Sequence, residues 1–160
     1  MQKITAFLGY DDRAEEAAQL YTSLFKNSRI VSTSRYGETG PQPKGMVMSV
    51  IFELEGQRFH ALNFGPGFPF AQGNPRISLF VSCETQAEVD ELWDKLSAGG
   101  RTDRCGWLTD RVGVTWQIVP SVLGRLLGGP DPARATRAMQ AMLKMTKLDI
   151  AALQRAYDGA

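Results

Sequence analysis

The stretches ITAFLGYDD (4–12) and ISLFVSCET (77–85) both begin on isoleucine, keep phenylalanine fourth and end on acidic or hydroxyl residues. Each reads as a short strand running into a helix cap. Behind the first come Ala17, Leu20, Tyr21 and Leu24, and behind the second come Val89, Leu92, Trp93 and Leu96. Both sets fall at i, i+3, i+4, i+7, the apolar stripe of an amphipathic helix. Asp12 and Thr85 are the expected N-caps, with Glu15 and Glu88 three residues on completing capping boxes. The second helix is expected to stop at Gly99 and Gly100, where a positive φ costs little. A chain that opens twice in this way is expected to build the same unit twice.

The parallel continues further along. EGQRFHALNFG (55–65) and RVGVTWQIVP (111–120) both place a glycine three residues before an aromatic, which a polar residue and an aliphatic pair then follow. In this register Phe59 matches Trp116 and His60 matches Gln117. Between helix and last strand the first half holds two β-branched runs, SRIVSTSRYG (28–37) and MVMSVIFEL (46–54), joined by the Gly/Pro-rich GETGPQPKG. The second half has a shorter and poorer counterpart, RTDRCGWLTD (101–110). Each half therefore reads as β-α-β-β-β.

The remainder, from Ser121 to Ala160, has no counterpart in either half. Asp131 followed by Pro132 is a cap and first-turn pair, and the helix behind it carries Ala135, Ala138, Met139, Met142 and Leu143. A second short helix is expected from Asp149, with Ile150, Leu153 and Ala156 on one side. Such stripes must lie on something, either the chain's own sheet or a second protomer.

With 160 residues and 43% hydrophobic content the chain can bury a core as one compact domain or two small halves. Its 18 basic and 17 acidic side chains nearly cancel and no Lys/Arg cluster exceeds a dipeptide, so a nucleic-acid partner is not expected. Cys83 and Cys105 form no CxxC, and the single His60 is not spaced to join them at a metal, so both read as reduced thiols of a cytoplasmic protein. The opening MQKITAFLGYDD has one lysine and five uncharged residues before Gly9, far short of a signal sequence or the roughly 20 apolar residues of a membrane span. No membrane partner is expected.

The paired halves, the segment DRVGVTWQIVP (110–120) and the tail AMQAMLKMTKLDIAALQRA together resemble one group, the PhnB-like proteins of the glyoxalase, bleomycin-resistance and dioxygenase (vicinal oxygen chelate) superfamily. The resemblance covers nearly the whole chain. It implies an α+β fold of two tandem βαβββ modules whose curved sheets form a cavity, usually within a homodimer, with C-terminal helices added. The boundaries expected are a glyoxalase-like domain over 1–128, with module one at 1–65 and module two at 75–122, and a helical extension over 129–160. Many such proteins carry the label 3-demethylubiquinone-9 3-methyltransferase. The chain, however, has no strand, glycine-rich turn and helix of the kind that cradles a nucleotide-like cofactor.

In metal-dependent relatives such as glyoxalase I, the ion is held by one residue from the first strand and one from the last strand of each module. Carried over, the resemblance puts these places at Thr5 and Ser78, and at His60 and Gln117. Only His60 and Gln117 could coordinate, because a neutral hydroxyl is a weak donor to zinc or nickel. No tightly bound metal and no other cofactor is therefore expected. Gln117 either offers its amide to a ligand or satisfies a neighbouring strand. His60 reads as a surface or satisfied core imidazole as readily as an acid-base group. Phe64, Phe68, Phe70, Trp107 and Trp116 are candidate apolar walls, under a loop at 65–75, or else core. Cys105 has no basic neighbour to activate it, and Asp11, Asp12, Arg13 and Glu15 read as capping and solvated surface. The cavity candidates are thus Thr5, His60, Ser78, Trp107, Trp116 and Gln117. The function expected is small-molecule binding; the alternatives are a metal-dependent lyase, isomerase or dioxygenase and a methyltransferase.

Overall fold

The computed structural model describes residues 5–37, 41–66 and 77–160. The chain divides into two compact units, Met1–Ala71 and Gln72–Ala160. In the first, strand β1 (Ala6–Tyr10) leads into helix α1 (Ala14–Leu24), followed by β2 (Arg29–Arg35), β3 (Val47–Leu54) and β4 (Gln57–Asn63). The sheet runs β1-β4-β3-β2, with β1 parallel to β4 and the other pairs antiparallel. Alternation decides its faces. Val50, Phe52 and Leu54 on β3 and Phe59, Ala61 and Asn63 on β4 are buried, whereas the residues between them on β3 and His60 and Leu62 on β4 are half-buried. Helix α1 covers the buried face: Tyr21 packs on Phe52 with ring centroids 6.1 Å apart, and Phe52 stacks on Phe59 at 5.4 Å.

The start of α1 corrects one expectation. Its N-cap is Arg13, with no side-chain cap bond, rather than Asp12. The Ala14 N–H instead donates to Asn63 Oδ1 at 2.9 Å from the far end of β4. Asn63 Nδ2 donates to the Val47 carbonyl at 3.0 Å, and the Tyr36 hydroxyl donates to the Asn63 carbonyl at 2.6 Å. A buried amide thus ties α1, β3 and β4 together, and it pre-empts the local cap. Asp11 and Asp12 stay exposed, and Arg13 pairs with Glu16 at 2.7 Å.

The second unit repeats the plan. β5 (Leu79–Cys83), α2 (Gln86–Ser97), β6 (Arg101–Thr102), β7 (Trp107–Thr109) and β8 (Thr115–Pro120) give the order β5-β8-β7-β6. The repeat holds to the residue: Ala6 pairs with Phe59 and Phe7 with His60 in the first sheet, and Leu79 with Trp116 and Phe80 with Gln117 in the second. Thr85 caps α2, accepting from the Glu88 N–H at 3.2 Å, while the Glu88 carboxylate accepts from the Glu84 N–H at 2.8 Å. Val89, Leu92, Trp93 and Leu96 form its buried stripe, as their spacing requires.

Three helices follow: α3 (Val122–Leu127), α4 (Pro132–Lys144) and α5 (Ile150–Asp158). Asp131 and Asp149 cap the last two through their side chains. The helices dock on their own unit. Val119 from β8, Leu123 and Leu126 from α3, Ala138 from α4, and Leu148 and Leu153 at α5 form one buried cluster. Met139 and Leu143 lie on the outer side of α4, 39% and 52% exposed. Among the described residues no helix is long and apolar enough to cross a membrane.

Candidate functional site

The face of the second sheet opposite α2 carries a row of three side chains. Gln117 on the central strand β8 is in register with Phe80 on β5 and with Trp107 on β7, and register partners project from the same face. Ser78 stands two residues before Phe80 and so shares that face. Gln117 Nε2 donates to Ser78 Oγ at 2.9 Å. Phe80 is 61% exposed, and Gln117, Ser78 and Trp107 are half-buried. Among the described residues the remaining N–H and the carbonyl oxygen of the Gln117 amide have no hydrogen-bond partner. The result is a carboxamide set between two aromatic rings, able to donate and accept at once.

The first sheet carries the equivalent row of Phe7, His60 and Ile51, with Thr5 half-buried just ahead of β1. Phe7 is 56% exposed and meets Phe64 edge-to-face at 6.5 Å. Glu53, two residues from Ile51 and on the same face, already holds Arg29 at 2.9 Å and Arg58 at 3.1 Å. The Arg29 guanidinium, then that of Arg58, hold its carboxyl below the usual carboxylate range. On the other side of Ile51 along β3, Ser49 shares a hydrogen bond of 2.6 Å with Ser34.

Trp116 lies apart from Gln117. One residue along β8, it points to the face that α2 covers, is 2% exposed, and donates its indole N–H to Asp110 Oδ2 at 2.9 Å. Asp110, itself 3% exposed, also accepts from the Val112 and Val114 N–H groups, each at 3.0 Å, so it shapes the β7–β8 turn. Burial, then Glu88 and Glu84, push the Cys83 thiol up to about 12; Cys105 donates its thiol to the Met142 carbonyl at 3.6 Å. Both cysteines are free. Phe68, Phe70 and most of the 65–75 loop lie outside the described residues. Phe7 and Phe80 were the residues to find: the repeat shows phenylalanine at the same place in both halves, two positions after Thr5 and Ser78 and therefore on the same face. Asn63 gave no signal, since it acts on groups 49 and 16 positions away that only folding brings near, whereas Asp110 holds groups only two, four and six positions ahead.

The sequence profile of the family described as 3-demethylubiquinone-9 3-methyltransferase matches residues 2–119. Among solved structures, a PhnB protein from Bacillus cereus, described under the same methyltransferase name, is 40% identical; the match covers 74% of this chain and 99% of that one with a TM-score of 0.66. Protein PA1353 from Pseudomonas aeruginosa shares the fold at 20% identity and a TM-score of 0.61, over 75% of this chain and 98% of that one. The fosfomycin resistance protein FosX from Listeria monocytogenes aligns at 16% identity and a TM-score of 0.46, over 72% and 89%. No curated protein matches the chain. Two βαβββ units in matching register, the profile match and the identity to the Bacillus cereus protein together establish that this chain belongs to the PhnB-like family, the family described as 3-demethylubiquinone-9 3-methyltransferase.

Proposed function

We propose that this chain binds a small organic molecule, as a homodimer and without a tightly held metal ion, on the face of its second sheet opposite α2. Gln117 and Ser78 supply hydrogen bonds there, and Phe80 and Trp107 supply apolar contact. The observation that carries the reading is the Gln117–Ser78 bond at 2.9 Å, in line with two aromatic rings and one of them 61% exposed. Exposed apolar surface with a few convergent polar groups is the usual composition of a small-molecule site.

The donor chemistry supports a metal-free site. Ser78 is a neutral hydroxyl and is engaged by the amide that would be its fellow ligand. On the first sheet His60 has Glu53 on the neighbouring strand, but two arginines hold that carboxylate. Among the described residues no three His, Cys, Asp or Glu side chains gather as a metal site would require. The methyltransferase name of the Bacillus cereus relative finds no support in a glycine-rich strand-turn-helix.

The test is native mass spectrometry of protein purified without chelator, alongside a thermal-shift screen of small organic acids and aromatics. Gln117→Leu and Trp107→Ala are expected to release the co-purified molecule or to weaken a screened ligand about tenfold, roughly 1.4 kcal/mol. Ligands held equally well by both variants would remove the reading. A stoichiometric divalent ion that disappears in His60→Ala would replace it with metal chemistry, and a thermal shift with millimolar S-adenosylmethionine would favour methyl transfer. Light scattering checks the dimer.

A further inference from the structure

The hairpin turn that delivers Trp107 to the Phe80–Gln117–Trp107 row has an unusual residue in it. Strands β6 and β7 are joined through Arg104, Cys105 and Gly106, with the Trp107 N–H donating to the Arg104 carbonyl at 3.1 Å. Cys105 has φ of 59° and Gly106 of 81°, the pair of positive values that a type I′ turn needs. Asn, Asp or Gly ordinarily takes the first of those two places, because a Cβ is unfavourable in the left-handed region. A cysteine there needs support from outside the hairpin.

The support comes from the segment between α4 and α5. The Cys105 N–H donates to the Met145 carbonyl and the Gly106 N–H to the Thr146 carbonyl, both at 2.8 Å. The Gly106 carbonyl in turn accepts from the Ile118 N–H at 2.8 Å, next to Gln117. The turn is thus fastened on one side to the strap and on the other to the strand that carries the amide. There is no slack at this point: a Cβ on Gly106 would stand 2.6 Å from the Ile118 carbonyl oxygen and 3.1 Å from Leu148 Cδ1.

The strap has its own anchors. Leu148 is fully buried. Gln86 at the start of α2 grips the strap with both ends of its amide, donating to the Leu148 carbonyl at 3.1 Å and accepting from the Ile150 N–H at 2.8 Å. Lys147 pairs with Asp90 at 2.9 Å. The family profile covers Gln117 and stops at residue 119, short of the strap.

We infer that residues 145–149 are a positioning element for the binding face: they hold Cys105 and Gly106 left-handed, and this sets Trp107 beside Gln117. The inference rests on the proposed binding role of that face, but its test needs no ligand. In nuclear magnetic resonance spectra, Leu148→Ala is expected to raise amide exchange at Cys105 and Gly106 tenfold or more. It is also expected to shift the Trp107 indole and Gln117 side-chain amide resonances while the His60 ring resonances hold. Adding Cys105→Asn, which takes the left-handed conformation readily, should return the Trp107 and Gln117 resonances to their parental positions. Should Leu148→Ala fail to fold, Gln86→Ala gives the same readout through the loss of two strap hydrogen bonds. Unmoved Trp107 and Gln117 resonances in either folded variant, or no restoration by Cys105→Asn, would overturn the inference. A co-purified molecule retained by Gln117→Leu would instead sink only the binding reading, since these resonances report geometry alone.

Discussion

Asn63 ends β4 and Gln117 lies inside the equivalent strand β8, and the two units use these carboxamides in opposite ways. Asn63 lies on the covered face, fully buried, with both ends of its amide engaged by backbone groups. Asn63→Ala strands the Ala14 N–H and the Val47 carbonyl without partners, each at about 1–3 kcal/mol, so a loss of roughly 2–6 kcal/mol is expected in urea unfolding. Gln117 lies half-buried on the open face with one bond to Ser78, and Gln117→Ala is expected to cost about 1 kcal/mol or less. Equal losses would show that Gln117 is a core residue and not a group kept available for a ligand. Cys83 allows a second test at this scale. Its thiol is pushed from an ordinary 9.0 up to about 12, chiefly by burial. The folded chain therefore keeps a proton that the unfolded chain gives up, a contribution that is complete below pH 9 and declines as pH rises towards about 12. Cys83→Ala should flatten that alkaline decline, and a thiol reagent at neutral pH should label Cys105 well before Cys83.

At the scale of elements, the helices were legible where their own residues hold them and not where distant residues do. Thr85 with Glu88, Asp131 with Pro132, and Asp149 are caps made within a few positions of the helix they serve, and spacing alone located them. The cap of α1 comes from Asn63, 49 positions away, so the nearby Asp12 was the natural but mistaken choice. Helix α3 gave no signal because six residues, one of them Gly124, are too few to show a period. The different caps predict different costs: Thr85→Ala should lose about 1 kcal/mol, whereas Asp12→Ala should stay within about 0.5 kcal/mol of the parent. Strand pairing offers a pH test. Glu53 on β3 links β2 through Arg29 and β4 through Arg58, and these hold its carboxyl low. The unfolded chain takes up the proton first, so this contribution is present above the ordinary glutamate range and is lost as pH falls through the depressed value. Glu53→Gln should therefore make the acid limb of the stability profile less steep, and an unchanged limb would show that the three-residue bridge is only solvated surface.

Across the whole molecule, the repeat was readable because both units keep the same strand register, with His60 and Gln117 at one place and Phe7 and Phe80 at another. Which of the aromatic residues lie on the face opposite the helix was not readable, because it depends on which side of each sheet a helix covers: Trp107 and Trp116 look alike in sequence yet lie on opposite faces. The destination of the tail was equally hidden, since an apolar helix stripe serves a fold or a partner equally well. Its docking on the second unit has a consequence for the whole chain. Leu123 and Leu126 of α3 are buried only because α4, Leu148 and Leu153 close over them. Ending the chain at Leu127 uncovers both leucines and Val119, at roughly 1.5–3 kcal/mol for each side chain. That sum is comparable with the 5–15 kcal/mol stability typical of a domain. The same truncation removes Met145 and Thr146, which hold the turn before Trp107. The expected outcome is loss of the near-ultraviolet circular dichroism of the tryptophans, all three of which lie in the second unit. A chain ended at Ser121, which takes the α3 leucines away together with their cover, should retain more of that signal than the chain ended at Leu127. If the chain ended at Leu127 instead melts at the parental temperature with its tryptophan signal intact, the tail is an appendage, and neither the shared cluster nor the strap supports the sheet beneath it.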